Sequence, residues 1–148
     1  MRRFFAILVS LAWGLWFGGL VLLFLAVQSL FVTFADRHDL AGAAASGIFR
    51  RCNVYQLVLA GVALATTPIG RAGRARTALL ALFSCAAAGA LVVAFVLTPR
   101  IEAMRGTDLV HSAQFRQLHG LSMLVYSLEV LLLLFAGILM SATGGRRR

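Results

Sequence analysis

The chain has 148 residues, of which 61% are hydrophobic and 13% charged, with a net charge of +9. Soluble domains ordinarily carry about 25% charged and 45–50% apolar residues, so this composition excludes an ordinary water-soluble fold, and the length suits a single membrane domain. Every basic residue that carries the charge is arginine, and the arginines stand at the ends of apolar runs, where they anchor spans rather than nucleic acid.

The first apolar run covers residues 4–34. As a helix it would be about 46 Å long against a ~30 Å hydrocarbon core, so it must tilt or project. A secretory signal core is only about 7–15 residues long, and the run is read as a retained span. Gly14 and Gly18 form a GxxxG pair, a small-residue packing device, on a face that continues through Val21, Leu25 and Gln28. Trp13 and Trp16 are read as bulky core or lipid-facing residues. Asp36-Arg37-His38-Asp39 ends the run, with Asp39 as the expected cap of a short helix over residues 41–51.

The second span is expected over residues 52–69, with Gly61 and Ala65 as a small-residue pair, ended by Pro68 and a glycine- and arginine-rich loop. The third, over 77–98, holds Ala86-Ala87-Ala88-Gly89-Ala90 and is expected to end at Pro99. A polar connection over 100–117 includes Asp108, the expected start of the helix that becomes the fourth span, 118–141. The tail Gly144-Gly145-Arg146-Arg147-Arg148 is expected to fray. The fold class is therefore all-α: a polytopic membrane protein with four transmembrane helices in an antiparallel bundle and a short helix before the second span.

Arginine placement sets the orientation. Arg2, Arg3, Arg71, Arg74, Arg76 and the three terminal arginines lie on one side, against Arg37, Arg50, Arg51, Arg100, Arg105 and Arg116 on the other. The positive-inside rule puts both termini in the cytoplasm, in a bacterial cytoplasmic (inner) membrane, with the basic face towards anionic lipid. Cys52 and Cys85 match no metal-finger spacing and are read as buried small hydrophobes.

Glu129 lies near the middle of the fourth span. An ionisable group there costs at least ~2.5 kcal/mol on insertion scales, and so calls for a partner or a purpose. It shares a helical stripe with His119, Ser122 and Tyr126. Gln28, Asn53, Gln56, Pro99, Arg100 and Arg105 are expected with His119 and Ser122 near the outer half of the bundle, Glu129 alone lying deeper. The expected partners of Glu129 are Gln28, Tyr126 or Ser127. Arg100, Arg105 and Arg116 are expected to pair with Glu102 and Asp108, Glu102 and Arg105 being one helical turn apart, with an anionic lipid head group or a small anion as the alternative partner.

Four places resemble the transmembrane protein 205-like family: Val27-Gln28-Ser29-Leu30-Phe31; Gly47-Ile48-Phe49; Pro99 with Ile101 and Arg105; and Phe115, Leu118-His119-Gly120 and Ser122. The resemblance implies a four-helix integral membrane protein and supplies no activity. Where members often carry an asparagine one or two turns after the histidine, this chain has Tyr126 and Glu129.

The leading functional reading is a structural or accessory bundle that binds lipid or a partner, a homo-oligomer being compatible with its small size. The alternative is a proton- or cation-handling bundle using Glu129 and His119. A second alternative is a haem or copper module through His119 with Met123, since thioether sulfur beside imidazole suits Cu(I); no cofactor is otherwise expected. The sequence has no nucleophile elbow, HExxH or phosphate-binding glycine loop, so no enzyme is expected.

Overall fold

A computed structural model describes residues 1–105 and 107–144, without the side chains of Asp108 and His111. The expectation for the tail lies outside the described residues beyond Gly144, as does any pairing of the Asp108 carboxylate.

The chain is helical almost throughout. Helix α1 is Arg2–Thr33, α2 is His38–Gly70 and α3 is Gly73–Val92. A π-helical turn, Val93–Leu97, leads from α3 into α4, Thr98–Met104, and the two helices with this turn form one span. A short 3₁₀ turn, Asp108–His111, precedes α5, Ala113–Gly144. Four of the described helical stretches are long and apolar enough to cross a membrane. Consecutive spans run antiparallel and pack as neighbours, α1 on α2, α2 on α3 and α3 on α5, and α5 closes the ring against α1.

Large apolar side chains cover the outside. Leu11, Leu15, Leu22, Leu25, Leu124, Leu128, Leu131, Phe135 and Ile138 are all exposed. A soluble monomer does not carry so continuous an apolar surface; on four long helices, which pair their backbone groups internally, it is the surface of an integral membrane protein.

Several boundaries differ from the sequence expectation. The expected short helix over 41–51 is helical but not separate: nothing between Arg51 and Cys52 breaks the backbone ladder, and α2 runs on for 33 residues. Its cap position is Arg37, without a side-chain cap bond, and Asp39 sits in the first turn, where its charge faces the positive helix end. Pro68 lies in the last turn of α2, which ends at Gly70, one residue beyond the expected end. Pro99 does not end the third span. Proline lacks the N–H that would close an α-helical bond to residue 95, and the preceding turn widens to the π form, so that the helix continues to Met104. Asp108 begins only the 3₁₀ turn; α5 starts at Ala113, where Ser112 Oγ accepts from Phe115 N at 3.1 Å.

Packing is closest at glycines other than the expected ones. Gly14, Gly18 and Gly61 have open space where a Cβ would stand, and Ala65 is exposed. They lie off the buried stripes, which run through Val9, Ala12, Trp16, Leu20 and Leu23 on α1 and through Leu59, Ala60, Ala63, Thr66 and Thr67 on α2. Close approach occurs instead at Gly70, where a Cβ would stand 2.7 Å from Ala6 N, and at Gly137, where it would overlap the Trp13 ring. The alanine run of α3 does face the core: Ala86 and Ala90 are fully buried. Cys52 is half-buried, whereas Cys85 is exposed on the outward face of α3, a correction to its expected burial.

Candidate functional site

Three of the four stripe residues on α5 point into the bundle. Ser122, Tyr126 and Glu129 are buried, the last only 1% exposed, while His119 is exposed with its ring stacked on Phe115. The stripe therefore turns inward one helical turn below His119. At ~1.5 Å per residue, Glu129 lies about 24 Å from the start of α5, Trp16 about 21 Å along α1 and Gln56 about 27 Å along α2. These three groups lie at about the same level of the bundle, Gln56 roughly 8 Å along α2 from the exposed Arg51.

Glu129 has a partner that its own helix does not supply. Trp16 Nε1 donates to Glu129 Oε1 at 3.0 Å, and Oε2 has no hydrogen-bond partner. Of the partners expected, Ser127 donates to the Met123 carbonyl, Tyr126 donates elsewhere, and Gln28 is exposed on α1. The indole also stacks on Phe83 with ring centroids 6.4 Å apart, which fixes its plane. Sequence reasoning treated Trp16 as bulk. The usable signal is its place in the stripe from Val9 to Leu23, since a fully buried indole N–H normally finds an acceptor.

One turn closer to the α1–α2 loop, Asn53 forms a hub between helices. Its Oδ1 accepts from Tyr126 Oη at 2.8 Å and from Gln56 Nε2 at 3.3 Å, and its Nδ2 donates to Thr98 Oγ1 at 3.1 Å. Side chains from α2, α4 and α5 are thus tied together inside the membrane, where an unmade hydrogen bond has no water to replace it. Gln56 Oε1, buried, has no partner.

Above the hub lies a cavity of about 40 Å³ lined by Ser46, Thr98, Glu102, Arg105, His119, Ser122 and Tyr126 with apolar neighbours. That is room for a water molecule among polar side chains. Arg105 reaches the Gly42 carbonyl and Glu102 Oε1 accepts from Ser46 Oγ at 2.8 Å, so both clamp α4 onto the first turns of α2. Burial pulls the Arg105 guanidinium below its ordinary value, and the nearby Glu102 charge opposes that shift. Pro99 and Arg100 are exposed and stand outside the cavity. Met123 lines a different, apolar pocket with Leu23, Phe24, Val27, Phe49 and Tyr126, so His119 and Met123 do not share a cavity. No group of three His, Cys, Asp or Glu side chains gathers among the described residues.

A larger opening lies between α1 and α2. It measures about 330 Å³ and is lined by Trp16, Gly19, Leu20, Leu22, Leu23, Ala26, Ile48, Cys52, Tyr55 and Gln56. Gly19 lets the Tyr55 ring lie against α1, since a Cβ there would come 2.8 Å from it. Tyr55 lies across the groove and donates to the Leu15 carbonyl at 3.2 Å.

A family model described as a domain of unknown function (DUF4149) matches residues 11–108, which hold α1 from Leu11 onward and α2 to α4, and so all of the groove and the Asn53 end of the hub. The chain belongs to this family. Neither a curated relative nor a solved structure matches it. Tyr126 and Glu129, on α5, lie beyond the matched region.

Proposed function

We propose that this protein is a non-catalytic binding bundle of the cytoplasmic membrane that takes an apolar molecule sideways out of the bilayer into the groove between α1 and α2. Both termini lie on the cytoplasmic side in this reading, with the arginines of that end against anionic lipid head groups. The observation that carries it is the groove itself: about 330 Å³, apolar in its lining and roofed in part by Tyr55. That volume is at the lower end of the range for small-molecule sites. The resemblance to the transmembrane protein 205-like family, carried by the four motif regions, agrees with a bundle of this kind. Tryptophan fluorescence in bilayers whose acyl chains carry bromine at mid-chain tests the reading. Bromine seated in the groove lies against Trp16, so the native protein is quenched strongly and Ala26→Phe, which fills the groove, is protected. Equal quenching of the two proteins would sink it.

The unpartnered Glu129 Oε2 favours a second reading, proton or cation handling by Glu129 and His119. Beneath Glu129 the core holds Val9, Leu79, Phe83, Leu133 and Ala136, fully buried and apolar, and the hydroxyls of Thr66 and Thr67 there are committed to carbonyls of their own helix, so the first reading expects no net flux through the bundle. Proton flux into liposomes that disappears in Glu129→Gln would put the second reading first.

A further inference from the structure

We infer that the α1–α2 groove takes a single-chain anionic amphiphile, a fatty acid, with its carboxylate on Arg51 and its chain lying down the groove towards Trp16. This rests on the groove being a binding site and names what the site selects.

The groove has a direction. Its lining runs from Trp16 to Ala26 on α1 and, on the antiparallel α2, from Gln56 back to Ile48. Trp16 and Gln56 therefore mark one end, and Ala26 and Ile48 the other. Ten residues of α1 at ~1.5 Å each give a length of about 15 Å, which an extended chain of roughly a dozen carbons fills. The first end is closed: Trp16 is fully buried, stacked on Phe83 and bonded to Glu129, and Gln56 is held to Asn53. The second end lies towards the α1–α2 connection. Gly19 and Ala26 keep the α1 wall low along this path, and Leu20, Leu23 and Ile48 supply its apolar surface.

Arg51 stands beside the second end. It follows Ile48 by three positions and precedes Tyr55 by four, so it shares a side of α2 with two residues of the lining. It is exposed, and its guanidinium has no hydrogen-bond or ion-pair partner among the described residues. Asp39, the acid of α2, stands twelve residues away, about 18 Å along the helix. An arginine at the edge of hydrocarbon lays its stem on apolar surface and turns its head towards water, which brings this charge to the rim of the groove. No charged side chain lines the groove itself. One cation at the rim of an apolar slot is complementary to one anion at the end of an apolar chain.

The place of the charge separates the amphiphiles. A carboxylate is joined directly to its chain, so a chain that fills the groove presents its charge at the rim, where the guanidinium fork can meet it with two parallel hydrogen bonds. The phosphate of a phospholipid stands a glycerol unit further out than its chains, and one of its two chains would be left outside the groove.

Two probes decide it, read by quenching of tryptophan in the purified full chain in nonionic detergent: 12-bromododecanoate and its methyl ester. Their terminal bromine reaches the Trp16 end. At about pH 9, well above the ordinary carboxyl range, the acid is expected to bind roughly tenfold more tightly than the ester, equivalent to about 1.4 kcal/mol. Arg51→Gln should erase that preference and leave the ester unchanged. Arg50→Gln, turned about 100° round the helix, should keep it. Ala26→Phe should weaken both probes. Equal binding of acid and ester, still weakened by Ala26→Phe, overturns the anionic assignment and leaves the groove standing. Binding that ignores Ala26→Phe overturns the groove and this inference together. A preference that survives Arg51→Gln, or that Arg50→Gln removes as fully, overturns the role of Arg51. Displacement of the acid by an equal concentration of phosphatidylglycerol overturns the fatty acid and gives the groove to a phospholipid. If Arg51→Gln does not fold, acid against ester on the native chain, with Arg50→Gln beside it, still decides.

Discussion

The two ends of the bundle use the same helices in opposite ways. At the end that carries the termini and the α2–α3 turn, the buried polar side chains Thr66 and Thr67 bond to carbonyls of their own helix, the rest of the core is apolar, and the helices touch at glycines: Gly70 against the backbone of α1, and Gly137 under the Trp13 ring. Trp13 Nε1 donates to the Leu133 carbonyl at 2.6 Å, and it reaches that oxygen because Gly137, one turn further on, has no side chain in the way. At the opposite end, polar side chains from several helices are buried, cavities open, and two acceptor oxygens have no partner. In lipid, close packing is the main force between helices. One end devotes its residues to that force, and the other gives some of it up for a site.

This contrast predicts a graded series of effects. The largest is expected at the packed end: Gly137→Val should drive a branched side chain into Trp13, costing about 3 kcal/mol or more, seen as loss of the monodisperse, thermally cooperative protein in detergent. An intermediate loss belongs to the polar layer. Trp16→Phe leaves both Glu129 oxygens unpartnered and should cost about 1–3 kcal/mol; the native melting temperature should return in part in the double variant Trp16→Phe, Glu129→Leu, which removes the stranded carboxyl. If Trp16→Phe is neutral, the indole–carboxyl bond does not hold the layer together. The smallest effect is expected at Gly18→Ala, in open space on α1, where helix propensity alone gives a gain of about 0.5–1 kcal/mol at most. A marked loss there would show that the GxxxG face packs against something, such as a second copy of the chain.

Hydropathy made the four spans legible, because some twenty consecutive apolar residues are what a helix needs to cross the hydrocarbon core. The inward face of α5 was legible too: Ser122, Tyr126 and Glu129 recur at helical spacing and all three are buried. Asn53 and Gln56, three apart on α2, were rightly placed on one face. The partners were not legible. Spacing tells which residues share a face but not which helix that face meets, so nothing in the sequence joined Trp16 to Glu129 across 113 residues. The glycines misled for a related reason. GxxxG describes a surface that permits close approach, and on α1 the apolar stripe through Trp16 takes the core side instead. Gln28 shares the outward side of α1, although its type and position suggested an inward role.

The π turn at Val93–Leu97 also acts as a counting device. It holds an extra residue without adding a full helical turn, so everything after it is rotated by roughly 100° relative to an uninterrupted α-helix. Thr98, Glu102 and Arg105 reach the cavity beside Tyr126 through that rotation. Losing one residue from this stretch would barely shorten the span, yet it would turn those three side chains away from their partners. The spelling of this segment is thus constrained in number as well as in kind.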